Sequence, residues 1–273
     1  MPFGILNNIS ALQAEGALAS TQSSLSTTLQ QLSTGMRINS GSNDPAGLAI
    51  ANGLSANIAA LNQSIQNAND GVGNLQVADG ALSQVTSLLN TAVTIATEAS
   101  TGTVSSAQRD SLNAEYQQIL QEITQIGTTT DYNGTAVFNG ATTSIYLTDG
   151  TNASPITTTI AALTTTGLGL NASTLAGTDG TAAQTALTAI DAAVQTVAND
   201  RGTIGASVNR LQSASSVMTT EVQNLTAAEN NIMAADIPSA ISSLSNLSVL
   251  SQTGMAALAQ ANSQQQSILK LLQ

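Results

Sequence analysis

The sequence predicts a mainly α fold: a long antiparallel bundle of coiled-coil helices, with a small β-hairpin region and paired helices at the two chain ends. Three observations predict it. Two long stretches repeat apolar residues every 3.5 positions over several heptads. A short middle region carries hairpin-type turns instead. Both chain ends form amphipathic stripes with almost no charge.

The longest apolar seam runs from residue 187 to 232. Its steps of three and four cover about six heptads, so a helix here would be roughly 65 to 70 Å long at 1.5 Å per residue. Such a helix needs other long helices to cover its seam. The seam positions are Leu187, Ile190, Val194, Val197, Arg201, Ile204, Val208, Leu211, Ser215, Met218, Val222, Leu225, Glu229 and Ile232.

Three of these seam positions, Arg201, Ser215 and Glu229, are polar and recur every 14 residues. They are either edge positions in solvent or devices that set register or contact other copies of the chain. Both readings stay open on the sequence alone.

Two further expectations concern how this helix packs. Antiparallel packing against the second long helix would bring Asp79 near Arg210 or Leu211. The absence of side chains at Gly202 and Gly205 favours a close approach of backbones, and hence a packing role for both glycines.

A second seam of more than five heptads precedes this helix. It contains three glycines, each of which lowers helix stability by about 1 kcal/mol relative to alanine. Its positions are Ile58, Leu61, Ile65, Ala68, Val72, Leu75, Asp79, Leu82, Thr86, Leu89, Val93 and Ala96.

A shorter helix follows, and we expect it to end at Gly127. Its apolar face is Leu112, Tyr116, Ile119, Ile123 and Ile126. These two helices and the helix over 187–232 are predicted to form a three-helix core.

The periodicity changes between about 131 and 180. The dipeptides Asn133-Gly134, Asn139-Gly140 and Asp149-Gly150 are typical hairpin turns, and strand-forming residues at 144–147 and 155–160 flank the last of them. We expect one or two short hairpins that cap the bundle. The Thr- and Gly-rich run that follows, up to Gly180, is predicted to be a surface loop.

Both chain ends carry amphipathic helices, separated from the bundle by a run of turn-forming residues at 39–45. Two such helices bury little area by themselves, so their pairing would be marginal in water and points to other copies of the chain. They could be disordered in a free monomer and fold on assembly. The stripe residues are Ile5, Ile9, Leu12, Leu18, Leu25, Leu29, Leu32 and Met36 at the N-terminal end, and Ile237, Ile241, Leu244, Leu247, Leu250, Met255, Leu258, Leu269 and Leu272 at the C-terminal end.

The composition excludes several classes of partner and chemistry. The net charge is −11 with five basic residues, so no basic patch is available for nucleic acid or an anionic membrane. The chain has no cysteine and no histidine, which excludes disulfides, the usual zinc sites and triads that contain His or Cys. The cysteine count fits a reducing compartment and an exported protein equally well.

No enzyme is predicted. Ser267 and Lys270 have the spacing of a serine acyl-enzyme motif without its companion motifs, and Gly71-Val72-Gly73 is a fragment of a phosphate-binding loop. We therefore expect no catalytic residue, no cofactor and no metal. The N-terminus lacks the pattern of a cleaved signal peptide, and no run of 18 apolar residues could insert in a membrane.

Two segments of the chain resemble the signatures of bacterial flagellins. The first runs from Leu32 through Ser40 and on to Ile50, and the second lies around 201–211; the tail from Leu258 to Gln273 is similar as well. The resemblance covers roughly residues 1–140 and 180–273. The matching signature residues are Arg37, Asn39, Asp44 and Gly47 in the first segment and Arg201, Gly202, Gly205, Asn209 and Arg210 in the second.

The resemblance implies a subunit that self-assembles into the extracellular flagellar filament for motility. Residues 1–42 with 234–273 would form a terminal helical domain that lines the inner tube. Residues 43–140 with 180–233 would form the outer tube as a helical bundle, and the short variable region 141–179 would face outside. In this reading the stripe residues at both ends, apart from Met36, drive polymerisation.

The resemblance also implies partners and a route. The partners would be other copies of the chain, a flagellin export chaperone that covers the C-terminal helix from Leu244 to Leu272, and the hook-junction and filament cap proteins. Export would occur through the flagellar type III apparatus without signal cleavage.

Many flagellins carry a Gln-Arg pair, a Leu and a Glu that an innate immune receptor of animal hosts reads. The matching positions here are Asn90, Thr91, Ile95 and Glu115. Because the arginine is absent, we expect weak recognition by that receptor.

Two other functions remain as alternatives at this point. One is the hook-filament junction protein of the same superfamily, which shares the terminal helices. The other is a coiled-coil adhesin or a component of a secretion needle, which would have a similar composition.

Overall fold

The computed structural model describes residues 8–148 and 153–271, without the side chains of 153–154 and 268–271. Five helices and two small strand pairs make up this part of the chain, which confirms the predicted fold class. The chain divides into two compact units. We call Met1–Ala56 with Asn224–Gln273 the terminal unit, and Asn57–Gln223 the central unit.

The terminal unit is built on two paired antiparallel helices, α1 (Ile9–Thr34) and α5 (Ile237–Leu271). The Asn8 side chain caps α1 by accepting a hydrogen bond of 3.0 Å from the backbone N–H of Ala11. Gly35, at φ +71°, ends the helix in the left-handed conformation that glycine adopts without strain. The unit also contains the first residues of α2 (Pro45–Ser100) and the last of α4 (Thr181–Met233).

The central unit contains the longer part of α2 and α4, together with α3 (Ser106–Thr129). On α4 every seventh residue is buried: Ile190, Val197, Ile204, Leu211 and Met218. The other seam positions of α4 in this unit are only half-buried. The periodic pattern therefore predicted the central line of the core, contributed mainly by aliphatic residues of α2, α3 and α4.

Two hairpins follow α3. Strands β1 (Asp131–Tyr132) and β2 (Thr135–Ala136) flank Asn133 and Gly134, which both have positive φ as a type I′ turn requires. Strands β3 (Thr142–Thr148) and β4 (Ala153–Thr159) pair antiparallel with Ile145 opposite Ile156. The predicted hairpins are confirmed, although the Asp149-Gly150 turn lies outside the described residues.

Two local expectations are wrong. Helix α3 continues through Gly127 to Thr129. Gly127 instead lets the backbone of the 160–180 segment approach, since a Cβ there would clash with the carbonyl oxygen of Leu163. The run from 160 to 180 is not only a surface loop. Its aliphatic side chains are buried, and these are Ile160, Leu163, Leu168, Leu170 and Leu175.

None of the helices in residues 8–148 and 153–271 combines the length and the apolarity needed to span a bilayer.

Candidate assembly site

A narrow seam joins α1 and α5 in the terminal unit. Small residues let the helices approach closely: an ideal Cβ on Gly254 would lie 3.3 Å from Leu18 Cδ1. Asn8 Nδ2 donates a hydrogen bond of 3.0 Å to the carbonyl of Ala261, near the other end of α5. The half-buried or buried positions follow steps of three and four on both helices, as in a coiled coil. The positions that keep this spacing are Ala11, Ala14, Leu18, Thr21, Leu25, Thr28 and Leu32 on α1, and Ala240, Leu244, Leu247, Ser251, Gly254, Leu258, Ala261 and Gln265 on α5; Gln31 and Ser248 are half-buried as well.

The residues predicted to drive polymerisation fall into two groups. The first group lies in this seam and is half-buried: Leu18, Leu25, Leu32, Leu244, Leu247 and Leu258. The second group points away from the seam and is exposed. With Val249, which the sequence reasoning missed, we call it the off-seam residues: Ile9, Leu12, Leu29, Ile241, Val249, Leu250 and Met255. Ile237, at the start of α5, is 37% exposed. Ile5, Leu272 and the side chain of Leu269 lie outside the described residues.

The off-seam residues are an unusual surface for a helix pair. Each of these residues is 47 to 70% exposed. Burying one such aliphatic side chain completely contributes about 1.5 to 3 kcal/mol. Several large apolar side chains left exposed on two adjacent helices mark a surface that further protein can cover.

The first signature segment connects the ends of α1 and α4. The N–H of Ala235 donates to the carbonyl of Gly35 at 2.9 Å, and the N–H of Arg37 donates to the carbonyl of Met233 at 2.6 Å. The Arg37 guanidinium adds a hydrogen bond of 2.9 Å to the carbonyl of Ile232. A cation is favourable there because the last carbonyls of a helix carry partial negative charge. This segment fixes the turn from which α5 departs.

The rest of this signature begins α2. Asp44 caps the helix, since its Oδ1 accepts a hydrogen bond of 2.8 Å from the N–H of Gly47. Pro45 is the first helical residue, where its fixed φ suits the helix. A Cβ on Gly47 would lie 2.5 Å from Asp44 Oδ2 and 2.8 Å from Cδ1 of the buried Ile38, so a side chain here would displace the capping carboxylate or Ile38. Asn39 Nδ2 donates to the Thr34 hydroxyl and to the Met36 carbonyl, at 2.9 and 3.2 Å.

The second signature segment contains an ion pair of the central unit. Arg201 Nε lies 2.8 Å from Asp79 Oδ1, and both side chains are partly exposed. The hydrogen bond to Asp79 raises the pKa of Arg201 above its usual value. Together with the approach of Leu211 to Gly71, this pair shows antiparallel packing of α2 and α4 as expected, but the expected partner of Asp79 is wrong. Leu211 instead lies beside Gly71, since a Cβ there would be 3.4 Å from Leu211 Cδ1.

The packing role expected for the two glycines is also wrong within the chain. A Cβ on Gly202 or Gly205 would meet nothing within 4 Å. Asn209 and Arg210 are exposed as well. The other polar seam residues, Ser215 and Glu229, are half-buried.

Arg109 is a buried cation that the sequence reasoning missed. It is 3% exposed and donates to carbonyls of Ala99 at 2.9 Å, Thr101 at 3.0 Å and Thr178 at 3.4 Å. These bonds join the end of α2, the start of α3 and the segment before α4. Nearby, the pKa of Asp179 is lowered mainly by its hydrogen bond from the Thr181 backbone, and also by the charge of Arg109. The signal in the sequence was an arginine four residues after the helix cap Ser105.

The four positions that match the immune-receptor contacts lie in the central unit. Asn90, Thr91 and Glu115 are exposed. Ile95 is only 6% exposed, so its side chain belongs to the core rather than to the surface.

Among the described residues, no group of three or more Asp and Glu side chains is placed to hold a metal ion. The side chain of Lys270 lies outside them, so the spacing with Ser267 remains a feature of the sequence.

Comparisons with known proteins agree with this geometry. The model of the bacterial flagellin N-terminal helical region matches residues 5–143, and that of the C-terminal helical region matches residues 187–272. A flagellin of Halalkalibacterium halodurans is 33% identical over 98% of this chain and 99% of its own length. The flagellar filament 33 kDa core protein of Treponema phagedenis is 30% identical over the same shares.

One solved structure is also similar. The crystal structure of Bacillus cereus flagellin is 30% identical, with a TM-score of 0.49, over 60% of this chain and 94% of that chain. Nothing in the family matches or in the two similar proteins above favours a junction protein, an adhesin or a needle component. The chain belongs to the bacterial flagellin family, and it is an extracellular structural subunit of the flagellar filament.

Proposed function

We propose that copies of this chain polymerise through the off-seam residues of α1 and α5. The observation that carries the proposal is the exposure of these aliphatic side chains. They lie outside the seam through which α1 and α5 pack against each other. Covering them with neighbouring copies removes apolar area from water, which provides the main driving force for association.

The same reasoning supports the layered arrangement implied by the family. Residues 1–42 with 234–273 would form the inner tube, because they hold the exposed apolar surface that must be covered. Residues 43–140 with 180–233 would form the outer tube, and 141–179 would face the medium. The hairpin face is consistent with solvent contact, since Tyr146 on β3 is 59% exposed.

Polymerisation can be tested with substitutions that leave the α1–α5 seam unchanged. We expect the double variant Ile241→Gln/Leu250→Gln to raise the critical concentration for seeded assembly at least about tenfold, since two aliphatic contacts are lost. The matched control Ser243→Gln/Ser245→Gln adds the same side chains at exposed polar positions of α5 and should assemble normally. Sedimentation after addition of filament fragments, followed by electron microscopy, measures the effect.

Two results would count against the proposal. One is assembly of the aliphatic variant at the wild-type critical concentration. The other is a wild-type protein that stays monomeric with seeds, warming and added salt.

The exposed apolar surface of α5 also suits binding of partner proteins to the unassembled chain. An export chaperone of the flagellin-binding type would cover Leu244 to Leu272, and the chain would leave unfolded through the flagellar type III apparatus. Hook-junction and cap proteins would present similar apolar surfaces to the first and last copies. A chain without residues 244–272 should lose chaperone binding in a pull-down, and retained binding would place the chaperone elsewhere.

A further inference from the structure

A polar groove lies between α2 and the β1–β2 hairpin of the central unit. Its volume is about 710 Å³, which is ample for a long side chain. Asp70 and Asn74, one helical turn apart on α2, line one wall. Tyr132, Asn133 and Asn139 line the other.

The groove offers hydrogen-bond acceptors that lack donors. Asn74 Oδ1 is buried and accepts no hydrogen bond. Asp70 is exposed, and among the described residues it has no ion pair. A buried oxygen without a donor costs free energy, and an N–H donor that reaches Asn74 Oδ1 from the groove would remove that cost. One carboxylate beside amide oxygens suits a guanidinium, which carries five donors and a permanent charge.

The chain itself has few cations to supply. Arg37 and Arg109 are bonded to backbone carbonyls, and Arg201 is paired with Asp79. The side chain of Lys270 is outside the described residues. Arg210 is exposed on α4, and within the described part of the chain it has no hydrogen bond or ion pair.

We propose that Arg210 of one copy binds in the groove of another copy, with its guanidinium between Asp70 and Asn74. The inference rests on the proposed self-assembly and names one contact within it. Asp70 and Arg210 of the same copy form no ion pair in the structure. The occupant is assigned to a second copy because the chain is proposed to assemble with itself and because the exposed Arg210 carries the matching charge.

Two features of the chain fit this contact. Arg210 lies on α4 and the groove lies against α2, so each copy can donate its arginine to one neighbour and accept the arginine of another. Head-to-tail contacts of this type build an open filament when the rotation between successive copies does not close into a ring. Each copy also carries a net charge of −11, so contacts between copies bring like charges together. An arginine placed against a carboxylate offsets part of that repulsion.

Charge reversal tests the contact and shows in which molecule the partner lies. We expect Asp70→Arg and Arg210→Asp, each alone, to raise the critical concentration for seeded assembly about tenfold or more. An equimolar mixture of these two variants should assemble near the wild-type concentration, because each groove then meets a neighbour of opposite charge. As a control, Asp191→Arg changes the charge of another exposed carboxylate on α4. Mixed with Arg210→Asp, it should not restore assembly.

Other outcomes overturn the inference. If only the double variant Asp70→Arg/Arg210→Asp assembles and the mixture does not, the pair lies within one copy. If Asp70→Arg is impaired while Arg210→Gln is normal, the groove takes another group of the neighbour. Normal assembly of both single variants, with a wild type that assembles, excludes the contact but leaves the terminal-helix proposal intact. A wild type that fails to assemble overturns both. Circular dichroism of each variant shows whether its helices are intact.

Discussion

At the residue scale, hydroxyl side chains explain how long helices tolerate so few charges. Many Thr and Ser residues donate to the carbonyl four residues earlier, as Thr86 does to Leu82 at 2.8 Å and Thr97 does to Val93 at 2.7 Å. A hydroxyl satisfied in this way needs less water around it. A neighbouring copy can therefore cover such a helix face at a smaller desolvation cost than it would a face of Lys and Glu.

Arg109 gives a residue-scale prediction for stability. Replacing it by Met leaves the carbonyls of Ala99 and Thr101 without their donor, so we expect the free energy of unfolding to fall by about 3 kcal/mol. Arg210→Met removes the same charge at an exposed position, and the monomer should change by less than about 0.5 kcal/mol. Urea unfolding of the monomers followed by circular dichroism measures both. Equal effects of the two substitutions would show that the Arg109 bonds contribute nothing specific.

At the element scale, the helical glycines fall into two groups. Some lie so close to a neighbouring group that a side chain would clash with it, and others have room for a side chain. Gly127 lies against the backbone of the 160–180 segment, whereas a Cβ on Gly80 would meet nothing within 4 Å. We expect Gly127→Ala to destabilise the monomer by about 1 to 3 kcal/mol through displacement of the segment. Gly80→Ala should stabilise α2 by up to about 1 kcal/mol.

Thermal unfolding of the two glycine variants checks this pair, because the melting temperatures should move in opposite directions. A lower melting temperature for Gly80→Ala would contradict the prediction and would show that α2 needs a glycine at this position.

The sequence predicted those elements whose residues repeat. Seam positions such as Ile190 and Leu211 are buried as their spacing indicated, and the Asn133-Gly134 turn has the backbone that these residue types favour. Periodicity could not find the buried 160–180 segment, because its aliphatic residues follow the surfaces of folded neighbours and have no repeat of their own. The end of α3 was placed too early for the same reason, since the use of Gly127 depends on Leu163, far along the chain.

The candidate site was predictable in part. Apolar stripes on the terminal helices could be read from the sequence, but their division into seam and off-seam residues could not. That division depends on which face small residues such as Gly254 let the partner helix approach. The partner of Asp79 was missed because a shift of α2 along α4 changes every facing pair while the apolar pattern stays the same.

At the scale of the whole molecule, the surface predicts weak recognition by the innate immune receptor that reads flagellins. The matching positions hold Asn90 and Thr91 in place of the Gln-Arg pair, and the buried Ile95 offers little area to a receptor. We expect signalling by the purified monomer in a receptor reporter assay to be at least about tenfold weaker than that of a flagellin with the Gln-Arg pair. Full-strength signalling would contradict this prediction.

A variant with the Gln-Arg pair restored is the matched test of this prediction. Asn90→Gln/Thr91→Arg changes two exposed residues and should raise the signal without changing thermal stability. An unchanged signal would show that other surface positions decide recognition.

The bonds that close the terminal unit connect residues far apart in the chain: Asn8 to Ala261, and Arg37 to Ile232. A nascent polypeptide therefore has no partner for its first helix until translation has nearly finished. Products of a premature stop codon would lack that partner permanently. If polymerisation uses both helices, as proposed above, such truncated products should fail to join the polymer.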